Sequence, residues 1–331
     1  MKVGILYNLV DEVERGKDLD KLADNEVLET SRAVKIALEK RGHTAVLERL
    51  KPEELGKLRQ KYDMIFNLAE GIGSDPLREA EIAAGFEKSG LPFTGAGSKA
   101  LALCLNKENA KKILLKNKIP TPRFQVVEKL AAKKNKDLKY PLIIKPVHED
   151  GSIGINSDSV VNDDESFQKK IKEILELYKQ PALVEEYIDG REINVALLGN
   201  GNELQALPLS EIIFDFPPGV AKIVSFEAKW IEESVLCKNS VGKCPAEVSD
   251  NLKNKMIELA KKAYNAMGCA DYGRVDFRLR GEEFFVLEVN PNPCINPDCA
   301  GFIRSANCAG YTYDDIINKI VEVALKRYEN S

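Results

Sequence analysis

The chain has 331 residues, of which 44% are hydrophobic and 30% charged, and its net charge is −4. That length exceeds one ordinary core and implies two or three domains. The mildly acidic balance, with no dominant Lys/Arg block, argues against a nucleic-acid partner, and no apolar run reaches the ~20 residues of a membrane span. The opening MKVGILYNLV lacks the long apolar core and cleavage site of a signal peptide, so the cytoplasm is the expected location. The 7 cysteines form no C-x-x-C pair and the 2 histidines are His43 and His148, which argues against zinc and for free thiols in a reducing compartment.

In chain order, residues 2–7 (KVGILY) read as a buried opening strand. Val27, Leu28, Ala33, Val34, Ile36, Ala37 and Leu38 form a helical stripe over about 25–41, with Gly42 as its stop. Strands are expected at 44–50 and 63–68, a helix at about 77–89 and a short fourth strand at 91–94. Strands alternating with helices imply a parallel sheet with right-handed crossovers. The loop 69–76 (AEGIGSDP) leaves the third strand at its carboxyl end, where such sheets bind ligands. It is not G-x-G-x-x-G, so a dinucleotide site is not supported. Glu70, Asp75 and Arg78 are the candidate substrate contacts there, with structural salt bridges as the alternative.

A basic helix, KENAKKILLKN, covers 107–117 and is broken by Ile119-Pro-Thr-Pro122. A strand resumes at 123–128, and 131–139 is a lysine-rich linker. In YPLIIKPVHEDGSIGI (140–155) an apolar strand delivers Lys145 into a semi-buried position, where an ammonium needs an anionic partner. The glycine-containing loop 149–154 could cradle phosphate with free backbone N–H groups. A plain hairpin loop is the alternative, and the Walker A order is absent. An amphipathic helix at 163–178 precedes a strand at 182–188 (ALVEEYI). Glu185 and Glu186 are neighbours on it, so they point to opposite faces and one can face inward. A strand and connector of this kind can grip a purine by backbone hydrogen bonds. Another strand follows at 193–198.

Strands over 204–214, a turn at Pro217-Pro218-Gly219 and FEAKW at 226–230 lead into an irregular cysteine-containing stretch that runs to Pro245. A long helix over 249–267 has Ser249 as its N-cap. Then YGRVDFRLRGEEFFVLEVNPNP (272–293) reads as two strands around a Gly281-Glu282 turn. The second strand is rich in Phe, Val and Leu, yet ends in Glu288 and Asn290, two apart and so on one face. A tight turn puts Asp276 nearly opposite Glu288. Three hard oxygen donors at a sheet edge suit Mg²⁺, which takes few protein oxygens plus substrate phosphates. A hairpin with a solvated end and one Arg274 salt bridge is the alternative. A tight loop at 291–300 and helices over 301–309 and 313–328 close the chain.

Six stretches in this order, TGAGSKALALCLNKENAKKILLKNKIPTP, YPLIIKPVHEDGSIGI, LVEEYIDGREINVALLG, FEAKW, GRVDF and FFVLEVNPNP, resemble the ATP-grasp superfamily. Within it they resemble the D-alanine–D-alanine ligase family, most convincingly over 94–325. The resemblance implies an ATP-grasp fold of α/β and α+β class. Its units would be a parallel-sheet α/β domain at 1–98, a small central lid domain at 99–190 and an antiparallel-sheet catalytic domain at 191–331. It implies Lys107 and Lys145 at the nucleotide phosphates and the 149–154 loop, with Glu149, Gly151 and Ser152, as a lid. Glu185, Glu186, Tyr187, Ile188 and Leu287 would surround adenine, Glu192 would hold the ribose hydroxyls, and Lys229 would reach the γ-phosphate region. Asp276, Glu288 and Asn290 would hold two Mg²⁺, or Mn²⁺ in its place, with Glu288 bridging. Arg274 would steady the reacting carboxylate and the oxyanion, with Lys229 and Ser152 completing the catalytic set. The implied activity is ATP-dependent joining of a carboxylate to an amine through an acyl phosphate. Amino acids or small peptides are the implied substrates, with no nucleic acid or membrane partner and a homodimer as an option.

The departures from the family fall on the amino-acid side. The first strand is followed by YNLVDEVERGKDLDKLADNEVLETS in place of a glycine-rich, glutamate-bearing turn, and the third by Asn67-Leu-Ala-Glu-Gly71 in place of an HG-type loop. Gly151 precedes Ser152 where the family has two serines, and Trp230 stands in the place of a tyrosine. Pro291-Asn-Pro-Cys294 and Cys299-Ala300 replace a Thr-x-Pro-Gly turn and a serine-leucine that holds the second substrate carboxylate. Cys294, Cys299 and Cys308 read as small packing residues, because a thiol nucleophile needs a depressed pKa and an activating base. His148 reads as a bystander in the lid. The ATP half matches and the amino-acid half is rewritten. Two other outcomes are open: a kinase that leaves a stable phosphate ester, and a non-catalytic ATP-binding protein.

Overall fold

Parallel pairing organises the start of the chain in the computed structural model, which describes residues 1–329 apart from the side chains of 24 and 25. Residues 330 and 331, which end the third expected unit, lie outside the described residues. Strands β1 (Lys2–Tyr7), β2 (Thr44–Arg49) and β3 (Met64–Asn67) form a parallel sheet in the order β2-β1-β3. Successive side chains alternate between faces. Val3 and Ile5 meet Val34 and Leu38 of the helix Val27–Lys40, while Leu6 and Ile65 meet Ile82 and Phe86 of the helix Glu79–Ser89. With both faces covered, the strands are apolar almost throughout.

The expected fourth strand at 91–94 is reduced to a single bridge between Phe93 and Ile65. Pro92 has no N–H to extend the ladder, and Gly95, at φ +88°, turns the chain away. The helix Ser98–Leu105, which the sequence reading did not separate from its neighbours, follows directly.

Four antiparallel strands make the second sheet: β4 (Phe124–Val127), β5 (Leu142–Pro146), β6 (Val160–Val161) and β7 (Ala182–Glu186), in the order β4-β7-β5-β6. The helix Asp164–Glu173 buries Phe167 and Ile171 in its core and is capped by Asp163, whose Oδ1 accepts from the Ser166 N–H at 2.8 Å. The third sheet contains β8 (Arg191–Leu198), β9 (Gln205–Ala206), β10 (Ser210–Phe214), β11 (Ser240–Lys243), β12 (Tyr272–Arg280) and β13 (Glu283–Asn290). Its order is β11-β10-β8-β12-β13, with β9 paired to β8. The helix Asp250–Met267 lays Met256, Ala260 and Ala263 on one face, and Ser249 caps it by accepting from the Leu252 N–H at 3.3 Å.

The stretch from FEAKW to Pro245 is more ordered than expected. It contains the short helices Phe226–Trp230 and Val235–Lys238 and the edge strand β11. The closing helix Tyr313–Glu329 sends Ile316, Ile317, Ile320 and Val321 into the core of the first sheet, against the helix Val27–Lys40. Asp314 pairs with Lys40 at 2.9 Å, and Arg327 pairs with Asp271 at 2.8 Å. No described helix is long and apolar enough to cross a membrane.

Candidate functional site

A cavity of about 450 Å³ opens where the three sheets meet. Every residue that the motifs nominated for the nucleotide, the metal or the chemistry lines it. The second sheet supplies a cationic wall. The strand β5 alternates Leu142, Ile144 inward to its own core and turns Lys145 toward β7, where Glu185 is fully buried. Lys145 Nζ lies 2.7 Å from Glu185 Oε2, and Lys111 Nζ pairs with the other carboxylate oxygen. Glu185 thus faces inward and Glu186 outward, the latter pairing with Arg280 at 3.3 Å. Burial raises the Glu185 carboxyl pKa, but Lys111 and Lys145 outweigh it and hold the group below its ordinary value. Burial lowers the Lys111 ammonium despite its carboxylate partner. The side chain of Glu185 is therefore a counter-ion between two lysines, and only its strand position borders the expected adenine pocket.

Lys111 escaped the sequence reading, although it sits four residues from Lys107 and so on the same helical face. Lys107 Nζ donates to the Glu149 carbonyl and reaches Asp150 Oδ1 at 2.9 Å. Burial works against its charge, yet Asp150 and Glu288 raise its pKa overall.

The third sheet supplies the carboxylates. Asp276 and Glu288 are direct partners across β12 and β13, and Asn290 faces Arg274. Arg274 grips Asp276 with two bonds, Nε to Oδ1 at 2.7 Å and Nη2 to Oδ2 at 2.8 Å. Asn194 and Asn290 also donate to Asp276, at 2.7 and 3.0 Å. The Asn290 amide nitrogen is thereby directed at Asp276, which leaves its carbonyl oxygen as the free donor atom. Glu288 is disfavoured by burial, but Lys107, Lys145 and Arg274 prevail and lower its pKa. The result is an all-oxygen set that could hold a hard cation such as Mg²⁺. Among the described residues no three His, Cys, Asp or Glu side chains form a complete cage, so such an ion would need oxygens from a ligand.

The lid segment folds over the cavity toward the third sheet. Ser152, at φ +65°, donates to the Val224 carbonyl at 2.7 Å. The Trp230 indole N–H donates to the Gly151 carbonyl at 2.7 Å, and Lys229 Nζ sits 4.4 Å from the Trp230 ring centroid. Trp230 therefore ties the lid down through the one polar group it has. Glu149 accepts from Gln180 Nε2 at 2.7 Å and lies 3.5 Å from Arg15 Nε. Burial pushes its carboxyl up to about 7, against the pull of Arg15 and Gln180. On the opposite wall, Glu192 pairs with Arg278 at 2.9 Å and is nevertheless raised by burial.

The first-sheet candidates divide. Glu70 lines the cavity. Asp75 instead caps a turn at Leu77 and pairs with Arg15 at 2.8 Å, and Arg78 pairs with Glu81 on an exposed helix start. Both are the structural salt bridges that the sequence left open. His148 and Cys308 are not among the lining residues, whereas Cys294 and Cys299 are, with Cys294 Sγ 3.6 Å from Glu26 Oε2. Arg15, Asn194 and Arg304 also line the cavity and had no sequence signal beyond their charge or polarity.

Residues 113–322 match the family model described as D-ala D-ala ligase C-terminus. The chain is 36% identical to the uncharacterized protein y4sG of Sinorhizobium fredii, over 87% of this chain and 82% of that protein. It is 32% identical to a D-alanine–D-alanine ligase of Carboxydothermus hydrogenoformans, over 90% of this chain and 93% of that one. Its fold is similar to the crystal structure of D-alanine–D-alanine ligase from Bacillus anthracis complexed with ATP, with a TM-score of 0.78 at 20% identity, covering 100% of this chain and 99% of the other.

Proposed function

The chain belongs to the D-alanine–D-alanine ligase family, and from that premise we propose that it is an ATP-dependent carbon–nitrogen ligase that joins amino acids through an acyl phosphate. The observation that carries this reading is the meeting of buried lysines and ionised carboxylates across one cavity. Neither a small-molecule kinase nor a non-catalytic nucleotide binder is favoured by those relatives that are named as D-alanine–D-alanine ligases.

A carboxylate is a poor electrophile, so the donor must first be phosphorylated. Lys107, Lys145 and Lys229 would neutralise charge on the nucleotide phosphates and the transferring phosphoryl group. Asp276, Glu288 and Asn290 fit Mg²⁺, or Mn²⁺ in its place, which when bound would add Lewis-acid stabilisation of the phosphoryl oxygens. Arg274, fixed by Asp276, would steady the donor carboxylate and then the oxyanion formed as the amine attacks. Glu149, Gly151 and Ser152 would cover the site and keep water from the acyl phosphate. Glu185 to Ile188 and Leu287 would border adenine, with Glu192 at the ribose. In this reading residues 99–190 form the lid unit between a 1–98 unit and a 191–331 unit. The enzyme would be cytoplasmic, and light scattering would test whether it is a homodimer.

Incubation with ATP, Mg²⁺ and panels of amino-acid pairs should release ADP and phosphate only with a matching pair, with an amide as the second product. ATP binding without turnover across a broad panel of D- and L-amino acids and short peptides would count decisively against the ligase.

A further inference from the structure

The cations of the cavity are nearly all matched. Lys107 pairs with Asp150, Lys145 with Glu185, Arg274 with Asp276 and Arg278 with Glu192. Among the described residues, Lys229 and Arg304 have no carboxylate within ion-pair distance. Lys229 rests on the Trp230 ring. Arg304 is different, because its surroundings are built to hold a guanidinium and leave it uncompensated. Its Nη1 donates to the buried Ser210 hydroxyl at 2.8 Å and its Nη2 to the Cys299 carbonyl at 3.3 Å. Its flat face lies against the α-carbon of Gly242 on β11, where an added methyl would come within 2.0 Å of the guanidinium carbon. Burial and the nearby Arg274 both lower its pKa, so the site raises the cost of the charge and supplies no anion.

Position tells which anion is missing. A methyl placed on Gly301 would lie 3.7 Å from Arg274 Cδ and 3.8 Å from Arg304 Nη1, so the two arginines flank one point. Arg304 sits on the helix that follows the 291–300 loop and reaches Ser210 of β10 and Gly242 of β11. We propose that Arg304, on the helix that follows the 291–300 loop, anchors the carboxylate of the acceptor amino acid. The proposal rests on the ligase reading above. An α-amino acid attacking at Arg274 has its own carboxylate one carbon further on, and the N–H groups of Arg304 left over after Ser210 and Cys299 can donate to it. A simple amine or an amino-acid amide would leave the half-buried guanidinium without an anion.

The single Trp230 lines the same cavity, so its fluorescence reports occupancy. With ATP and Mg²⁺ present, the full chain is titrated with glycine, L-alanine and D-alanine and with their carboxamides, and ADP release is read in the same samples. At least one of the acids should bind, with its carboxamide weaker by roughly tenfold or more. R304A should lose roughly ten- to a hundredfold in affinity for that acid and bind acid and carboxamide alike, with ATP affinity unchanged as the readout of folding. R304K should recover part of the loss, and G242A, which displaces the guanidinium without removing it, should resemble R304A. Equal binding of acid and carboxamide by the native protein, no binding of any of the acids, or an R304A that still discriminates each overturns the anchor. Discriminating carboxylate binding without ADP release would leave the anchor standing and sink the ligase; ADP release with the carboxamides would do the reverse.

Discussion

Glu185→Gln should destabilise the protein by about 3–5 kcal/mol, the usual cost of removing one partner from a buried ion pair. The substitution keeps the volume and one carbonyl oxygen, removes the charge, and sets an NH2 donor against one of the two ammonium groups. Glu185 is fully buried, and Lys145 Nζ lies 2.7 Å from it. At that separation the attraction is about 6 kcal/mol with an effective dielectric of ~20, and Lys111 contributes a second pair on the other oxygen. Desolvation offsets much of this in the native protein, but after substitution two buried ammonium groups face each other with no anion. The assay is guanidinium chloride unfolding followed by circular dichroism, with and without ATP and Mg²⁺. ATP should restore more stability to the variant than to the native chain, because phosphate oxygens take the place of the lost carboxylate. The pH dependence has a definite sign. The Glu185 pKa is lowered on folding, so its stabilisation is present above the ordinary glutamate value of 4.5 and is lost as pH falls below it. Glu185→Gln should lack that acid-dependent loss. Burial already lowers the Lys111 ammonium, and without its carboxylate partner the variant should gain stability as pH rises toward the ordinary lysine value more steeply than the native chain. A variant within about 0.5 kcal/mol of the native protein at neutral pH, or one indifferent to ATP, would refute the counter-ion role.

Three further outcomes follow from the same geometry. Glu288→Gln should reduce ADP release by about a thousandfold or more with only a modest loss of stability, since Lys107, Lys145 and Arg274 favour its charge in the folded chain; an unfolded variant would make Glu288 structural instead. Trp230→Phe removes the donor to the Gly151 carbonyl, worth about 1 kcal/mol, so ATP hydrolysis without an acceptor should rise severalfold with little change in ATP affinity. For Glu149, a folded-state pKa of about 7 means that the native protein holds a proton the unfolded chain has lost between pH 4.5 and 7, so this carboxyl lowers stability progressively as pH rises through that window. Glu149→Gln should therefore be more stable than the native chain at pH 8, by up to about 3 kcal/mol, and equal to it below pH 4.5. Parallel denaturation curves at the two pH values decide this.

Local pattern determined a great deal here. Period-two alternation and the Gly281-Glu282 turn set the register from Arg280 to Phe277, and only a bulge on the second strand then brings Glu288, rather than Leu287, opposite Asp276. The adjacency of Glu185 and Glu186 on a strand required one to face inward, and the apolar run before Lys145 required that lysine to find an anion. Ordered motifs then identified the family and its nucleotide side. Tertiary structure decided the partners. The helix Lys107–Lys116 reads as an ordinary basic surface helix, and only its contact with β7 buries Lys111 beside Glu185. Leu91 to Thr94 has strand composition, but Pro92 and the turn at Gly95 limit it to one bridge. Arg15 and Arg304 are single arginines in polar or mixed stretches, and nothing local marks them. Their roles come from residues far along the chain, Glu149 in the one case and Ser210 and Gly242 in the other. Backbone periodicity fixes which way a side chain points, whereas what it meets there depends on non-local pairing of elements. For that reason the sequence by itself nominated the lysines and carboxylates that meet in the cavity, and the tertiary structure alone exposed the uncompensated guanidinium of Arg304.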